Sequence, residues 1–228
     1  MKLEIIASSL KDALDIFASG ADRIELVSNI NEGGLTPNID LVREVCNTVD
    51  IPVYVMLRPH SKSFVYDKDD LKVILNDLNL IKQTKAKGIV FGALTKDNLI
   101  DEELLKTIIQ HKEHLKITFH RAIDVSIDPL KSLEVLMNYD IERVLISGGK
   151  SNTLLGINTI TKMTEMANKK QILILAGAGI TPSNIDNLLI NGKFNEVHLG
   201  SGVRYNNSNN EAINIVAIKN LKEKIKTQ

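Results

Sequence analysis

The feature that most constrains the fold of this chain is an eightfold alternation of short apolar runs with longer segments of helical periodicity. Short runs rich in β-branched residues are typical of buried strands, and a 3.6-residue period is typical of helices packed on them. The predicted strands span residues 3–7, 23–27, 53–57, 88–92, 116–120, 143–147, 172–176 and 196–200. The predicted helices begin near Leu10, Asn38, Lys68, Asp101, Asp128, Thr153, Ser183 and Glu211. Capped helix starts with a helix-compatible proline are predicted at residues 36–37, 128–129 and 181–182.

The spacing of these strand–helix units, roughly 20 to 35 residues, implies parallel strands joined by right-handed crossovers. Eight such units predict an α/β fold in which residues 1–228 form a single (β/α)8 TIM barrel domain. The alternative is an open doubly wound sheet. Against it, no GxGxxG motif follows the first strand, and eight regular units exceed what an open sheet needs.

Composition excludes several classes of partner. The 28 basic and 28 acidic residues cancel, so no overall field favours binding to nucleic acid or to an anionic membrane. No apolar run approaches the roughly 20 residues needed to span a bilayer. The first residues enter a strand pattern directly, without a secretory signal, and the lone Cys46 cannot form an internal disulfide. The expected location is cytoplasmic.

Strand parity predicts which side chains enter the barrel, because alternate residues of a strand point to opposite faces. Several predicted inward positions carry charged or polar residues instead of the aliphatic residues that a barrel interior would favour. Low in the strands these are Glu4, Arg23 and Arg143, for which structural ion pairs are expected. His198 also points inward, one layer below the rim, and its role stays open.

The inward residues at the C-terminal ends of the strands form the predicted catalytic site, since enzymes of this fold carry their catalytic groups there. They are Glu25, Arg58 and His120, with Asp124 in the following loop to orient His120 or Arg121. A carboxylate and an imidazole near a guanidinium suit proton transfer next to a carbonyl, with arginine stabilising charge on oxygen. The structural alternative is a buried Glu25–Arg58 ion pair with a hydrogen-bonded His120.

Three glycine-rich strand ends predict a site for a small anionic ligand, because glycine lets backbone N–H groups approach a phosphate closely. They are SGGK at 147–150, AGAG at 176–179 and GSG at 200–202. The predicted ligand-binding residues are Ser147, Gly148, Gly149, Gly177, Gly179, Gly200 and Ser201. Lys150 or Arg204 is expected to add a cation. The alternative is that these glycines only permit tight turns.

Other chemistries find less support. Glu25, His120 and Asp124 are suitable ligand types for a divalent metal, but no compact HxH or HExxH spacing accompanies them. We therefore predict no metal ligands and assign no cofactor. Schiff-base chemistry is disfavoured because no lysine falls at a late inward position, and Cys46 lies within the second helix, away from the rim.

A set of motifs along most of the chain resembles the CutC family. They are GADRIELVSNINEGGLTPN (20–38), VYVMLRP (53–59), GIVFGALTKDNLID (88–101), TFHRAID (118–124), VLISGG (144–149), AGAGI (176–180) and EVHLGSGVR (196–204). The resemblance implies a cytoplasmic (β/α)8 barrel, often a homo-oligomer such as a dimer, with a role in copper homeostasis. Where family members often carry cysteines, this chain has Ile6 and Val27, which leaves Met56 as the soft donor near the rim.

Three functions are compatible with the sequence. The family resemblance implies copper homeostasis or copper binding. The rim residues favour an enzyme acting on a small phosphorylated or carboxylated carbonyl compound. The third is a barrel that senses a ligand without turning it over.

Overall fold

The computed structural model describes residues 1–226 of the chain, which form a closed barrel of eight parallel strands surrounded by helices. The strands are β1 (Lys2–Ala7), β2 (Arg23–Leu26), β3 (Val53–Met56), β4 (Gly88–Phe91), β5 (Lys116–Phe119), β6 (Arg143–Ile146), β7 (Leu173–Gly177) and β8 (Glu196–Leu199). The helices are α1 (Leu10–Ser19), α2 (Ile39–Thr48), α3 (Lys68–Ile81), α4 (Glu102–His111), α5 (Pro129–Leu136), α6 (Thr153–Ala167), α7 (Ile185–Asn191) and α8 (Ile215–Lys226). Each strand pairs with its neighbours in the sequence, and β1 pairs with β8 to close the barrel. The predicted (β/α)8 fold is confirmed.

The helix starts show where local sequence decides the structure. Asp128 caps α5, accepting from two backbone N–H groups, with Pro129 in the first turn as predicted. The caps predicted at 36–37 and 181–182 are wrong, because α2 begins after Asn38 and α7 begins only at Ile185. The hydroxyl of Thr36 instead donates to the carbonyl oxygen of Arg58, so it joins two rim loops.

The last helix also begins later than predicted, at Ile215 instead of near Glu211. Ile213 forms an antiparallel bridge with Arg204, which holds the backbone extended at that point. The side chain of Asn214 then accepts from the N–H of Ala217 and caps the helix. No helix within residues 1–226 combines the length and apolar character needed to cross a membrane.

The core has two parts, as strand parity predicts. Outward residues such as Ile24 and Leu26 are fully buried in the main layer between the barrel and the helices. A smaller apolar cluster fills the barrel interior; it consists of Val27, Tyr54, Met56 and Val90, with Ile6 and Ile30 packed against it. Apolar side chains thus occupy the inner layer directly beneath the mouth.

A buried ionic network occupies the lower barrel. Arg23 donates to both Glu4 and Glu196, and Arg143 donates to Glu196 over 3.1 Å. Both guanidinium groups also lie over the ring of Tyr54, at 5.4 and 4.6 Å from its centroid. The structural ion pairs predicted for Glu4, Arg23 and Arg143 are therefore present. They also include Glu196 of β8, which was not predicted.

Candidate active site

The C-terminal mouth of the barrel holds a cavity of about 460 Å³. The four predicted catalytic residues all line it: Glu25, Arg58, His120 and Asp124. The predicted ligand-binding residues divide between those that line it, Gly179, Gly200 and Ser201, and those that do not, Ser147, Gly148, Gly149 and Gly177. This volume is in the range of small-molecule sites.

Glu25 lies on the inner face of β2 and is 2% exposed. Its Oε2 lies 3.7 Å from Nε2 of His198, while its Oε1 is buried without a hydrogen-bond partner. Burial raises the pKa of the Glu25 carboxyl to about 7, although the imidazole of His198 acts in the opposite direction. In the described chain no hydrogen bond or ion pair joins Glu25 to Arg58, so the alternative of a structural pair between them is wrong.

His198, on β8, stands between two carboxyl groups. Its Nδ1 lies 2.7 Å from Oε1 of Glu4, which leaves Nε2 on the side of Glu25. Burial alone would lower the pKa of His198, but Glu25 and Glu4 overcome this effect and raise it. Burial would likewise raise the pKa of Glu4, but Arg23 and His198 hold it below its usual value. Glu4 therefore stays ionised and orients an imidazole whose Nε2 faces the Glu25 carboxyl group.

The same three residues are the only group among residues 1–226 whose carboxylate and imidazole ligand atoms lie close enough to hold a metal, within 4.8 Å of one another. The set considered from the sequence, Glu25 with His120 and Asp124, is not gathered in this way. One of these three residues is already engaged with the chain itself, because Glu4 accepts a hydrogen bond from Arg23.

Arg58 braces the rim. Its Nη1 donates to the carbonyl oxygens of Glu32 and Gly34, both over 3.3 Å, and its Nη2 donates to that of Ser61 over 3.4 Å. The guanidinium also lies 4.7 Å from the centroid of the Phe64 ring. Arg58 therefore holds the loops after β2 and β3 together, and its charge contributes a positive potential to the cavity.

His120 follows β5 and is 4% exposed. The backbone N–H of Ala122 donates to its Nδ1 over 3.2 Å, and its Nε2 is buried without a partner. Burial and, to a smaller extent, the nearby charge of Arg58 together lower the pKa of His120 to about 3. The imidazole is therefore neutral at physiological pH.

Asp124 is occupied by the chain itself. Its oxygens accept from the N–H and the hydroxyl of Ser147, from the N–H of Gly149 and from Nε of Arg121, at 2.8 to 3.0 Å. Asp124 therefore orients Arg121, whereas His120 is oriented by the backbone N–H of Ala122. The amides of Ser147 and Gly149 in the loop after β6, which were predicted to bind an anionic ligand, donate instead to this carboxylate of the protein.

In the loop after β6 the glycines serve to permit a tight turn, which is the alternative to anion binding. Gly148 has a φ of 80°, and a Cβ there would lie 2.3 Å from the carbonyl oxygen of Gly156 in α6. Glycine at this position is thus required by the turn and by helix packing.

We expect Asp124→Asn to lower the free energy of unfolding by about 2–3 kcal/mol, because it removes a charged acceptor from several hydrogen bonds. Urea unfolding monitored by circular dichroism measures this loss. Asp40→Asn, at an exposed position on α2, serves as the matched control and is expected to change stability by less than about 0.5 kcal/mol. Equal stability of the two variants would show that Asp124 does not brace the loop.

The loops after β7 and β8 differ from the loop after β6, because several of their backbone N–H groups have no acceptor among residues 1–226. Four amides that line the cavity receive no acceptor from residues 1–226: those of Gly179, Ile180, Ser201 and Gly202. Adjacent unpaired backbone N–H groups in glycine-rich turns are a typical anion-binding arrangement. The predicted ligand site is thus geometrically available in these two loops.

The cation at this site differs from the two suggested by the sequence. Arg204 is buried and donates to Asp12 over 2.7 Å, so it ties the loop after β8 to α1. Lys150 does not line the cavity, whereas Arg121 does. The sequence predicted Arg121 only as a residue that Asp124 could orient, because a single exposed arginine beside a strand end carries no signal for anion binding.

Comparisons with known proteins agree with the motifs in the sequence. The CutC family model matches residues 1–203. The human "Copper homeostasis protein cutC homolog" is 39% identical over 212 residues, which cover 90% of this chain and 77% of that protein. A family protein CutC from Pasteurella multocida is 40% identical over 205 residues, covering 90% of this chain and 84% of that protein.

Solved structures show the same architecture. The crystal structure of the putative copper homeostasis protein CutC from Streptococcus agalactiae superposes with a TM-score of 0.82 at 28% identity, covering 88% of this chain and 98% of that chain. Phosphoribosyl anthranilate isomerase from Thermococcus kodakaraensis gives a TM-score of 0.63 at 16% identity, covering 100% and 99%. The second likeness concerns the fold alone.

Proposed function

The chain belongs to the CutC family, and from the chemistry of its cavity we propose that it is an enzyme that transfers protons on a small anionic substrate. The observation that carries this proposal is the unpartnered Oε1 of Glu25, buried beside His198 at the wall of the cavity. Leaving a buried polar atom unpaired costs about 1–3 kcal/mol, which a purely structural role would not require. Strongly shifted carboxyl groups in clefts are typical of functional sites.

The residues divide the work as follows. Glu25 accepts and returns a proton near neutral pH, and His198, oriented by Glu4, stabilises its ionised form. The free amides of the loops after β7 and β8 bind the anionic group of the substrate. Arg58 and Arg121 add positive potential at the mouth.

Copper is the second candidate, because the relatives are named for copper homeostasis. Cu(I) prefers thiolate and thioether ligands. The only cysteine, Cys46, lies on α2, and burial raises the pKa of its thiol to about 11. Met56 lines the cavity and offers one thioether, and His198, whose Nδ1 is hydrogen-bonded to Glu4, offers only Nε2. His120 offers no free nitrogen, because the N–H of Ala122 donates to its Nδ1 and the ring hydrogen is then on Nε2. This donor set fits a Cu(I) site poorly.

A thermal-shift screen separates the two candidates. We expect inorganic phosphate or a phosphorylated metabolite at 100 times its dissociation constant to add about 2.7 kcal/mol of stability. The same thermal shift is measured in parallel with Cu(I) under anaerobic conditions. Stabilisation by Cu(I) but not by any anion, lost in Met56→Leu, would replace the enzyme proposal with the copper one.

We expect Ser201→Asp to abolish phosphate binding, because it introduces a negative charge beside the free amides of its loop. The measurement is the phosphate-dependent thermal shift of the variant. Ser201→Asn, which is similar in size but uncharged, is the control and should retain most of the shift. Equal shifts in the two variants would place the anion elsewhere.

A further inference from the structure

His120 has a fixed tautomer. A backbone N–H always donates, so the bond from Ala122 requires Nδ1 of His120 to present its lone pair. The ring hydrogen must then be on Nε2, which is buried at the wall of the cavity without an acceptor. His120 thus presents one N–H donor to whatever occupies the cavity.

This donor does not become an acid. Burial lowers the pKa of His120 to about 3 and the charge of Arg58 acts in the same direction, so the ring is neutral at working pH. A neutral imidazole in a dry site polarises a carbonyl oxygen without transferring a proton to it. The acid–base work in this cavity falls to Glu25 and His198.

The unpaired groups of the cavity describe the ligand that would satisfy them. Nε2–H of His120 and Nε–H of Arg58 lack acceptors, Oε1 of Glu25 lacks a hydrogen, and the amides of the loops after β7 and β8 lack an anion. A molecule that meets all three needs carries an oxygen acceptor, a transferable hydrogen and an anionic group. The cavity wall also contains the apolar side chains of Val27 and Met56, which help to exclude water from the reacting part of the substrate.

Building on the proposed function, we propose that the substrate is a phosphorylated hydroxycarbonyl compound whose carbonyl oxygen is held by Nε2–H of His120. The Glu25 carboxylate removes the proton from the carbon next to the carbonyl, so that a C–H bond breaks and an O–H bond forms. The released electron pair forms a carbon–carbon double bond, and the carbonyl π pair moves to the oxygen on His120. Return of the proton to the same carbon gives exchange. Its return to the former carbonyl carbon gives the isomer, provided that the proton of the neighbouring hydroxyl moves to the adjacent oxyanion, so that the hydroxyl carbon becomes the new carbonyl carbon.

The test is hydrogen exchange in D2O, followed by proton NMR, with dihydroxyacetone phosphate and ribulose 5-phosphate as probes. We expect deuterium to enter next to the carbonyl with the wild type and not with Glu25→Gln prepared in the same way, which also controls for contaminating isomerases. Glycerol 3-phosphate, which keeps the phosphate but lacks the carbonyl, should bind more weakly than the two probes.

Variants of His120 separate its role from simple packing. We expect His120→Leu to lower kcat for exchange by about 10²–10³-fold with a smaller change in KM, as for loss of an oxyanion-hole donor. His120→Gln, whose side-chain amide places an N–H near the position of Nε2, should recover part of that loss. Equal rates in the Leu and Gln variants would overturn the assignment.

The tautomer is checked without any substrate. In ¹⁵N NMR of the intact protein we expect the His120 ring to show an unprotonated Nδ1 and a protonated Nε2 from pH 5 to 8. A protonated Nδ1, or titration in this range, would overturn the proposal.

If inorganic phosphate binds but neither carbonyl probe binds better than glycerol 3-phosphate or exchanges, the substrate class is wrong while the anion-binding enzyme stands. If no phosphate compound binds, the proposed function fails as well.

Discussion

Replacing Glu25 with glutamine is expected to make the protein more stable at pH 8 and to reduce proton transfer at least about a hundredfold, the usual contribution of a general acid–base group. The two effects arise from the same cause. The buried carboxyl has no hydrogen-bond partner on Oε1 and is therefore costly to ionise, yet ionisation is what the chemistry needs. Glutamine keeps the shape of the glutamate side chain, but it cannot ionise, so the free-energy cost of ionisation and the general base are both removed.

The pH dependence of the stability effect has a definite sign. Burial raises the pKa of Glu25 to about 7 from a usual value of 4.5, so below pH 4.5 the folded and unfolded states are both protonated. Between these values only the folded state binds the proton, and the stability contributed by Glu25 is lost as the pH rises through about 7. We therefore expect Glu25→Gln and the wild type to be similar near pH 4.5, and the variant to be more stable by on the order of 2 kcal/mol at pH 8.

Urea unfolding at the two pH values measures this difference, and hydrogen exchange of a bound substrate measures the activity. Glu103→Gln, at a position where the side chain is 95% exposed, is the matched control and should change neither quantity. A Glu25→Gln variant that is less stable at pH 8 and retains proton transfer would identify Glu25 as a structural residue.

The second large effect concerns the lower barrel. We expect Arg23→Met to lower the free energy of unfolding by about 3–5 kcal/mol, because removing one partner leaves buried carboxylates without compensation. Glu4 would keep only His198, and Glu196 would keep only Arg143. Chemical denaturation at pH 7 measures the loss.

Two further variants test the reason for that loss. Arg43→Met removes an exposed arginine of α2 paired with Asp40 and is expected to cost less than about 1 kcal/mol. In Arg23→Met/Glu4→Gln one uncompensated charge is gone, so part of the stability should return. If the double variant is no more stable than Arg23→Met, the loss reflects packing on Tyr54 and not buried charge.

Strand parity is sufficient to predict most of the strand residues that line the cavity. A (β/α)8 barrel has one inside, and alternate side chains of each strand must enter it, so Glu25, Arg58 and His120 could be assigned to the cavity from local pattern alone. The closed barrel follows from the same alternation, repeated eight times. Gly179 and Gly200 were predicted to lie at the cavity for a different reason, because they belong to glycine-rich segments at the C-terminal ends of strands.

The roles of these residues depend on partners that no local pattern contains. Asp124 was expected to be a catalytic group, but its oxygens accept hydrogen bonds from Ser147 and Gly149 in the loop after β6. They also accept from Arg121, three residues earlier in its own loop. Arg204 was expected to bind an anion and instead pairs with Asp12, 192 residues away. Such pairings depend on the registers of several strands at once.

The alternation of strand and helix, and the inward or outward direction of each strand residue, follow from residue type and spacing, because burial acts on every strand separately. Which inward groups are satisfied and which are left unpaired is decided only when β8 closes onto β1 and brings His198 against Glu4 and beside Glu25. A pKa and a tautomer are properties of such three-dimensional surroundings. The chemistry of Glu25, His198 and His120 could therefore be assigned only from the tertiary structure.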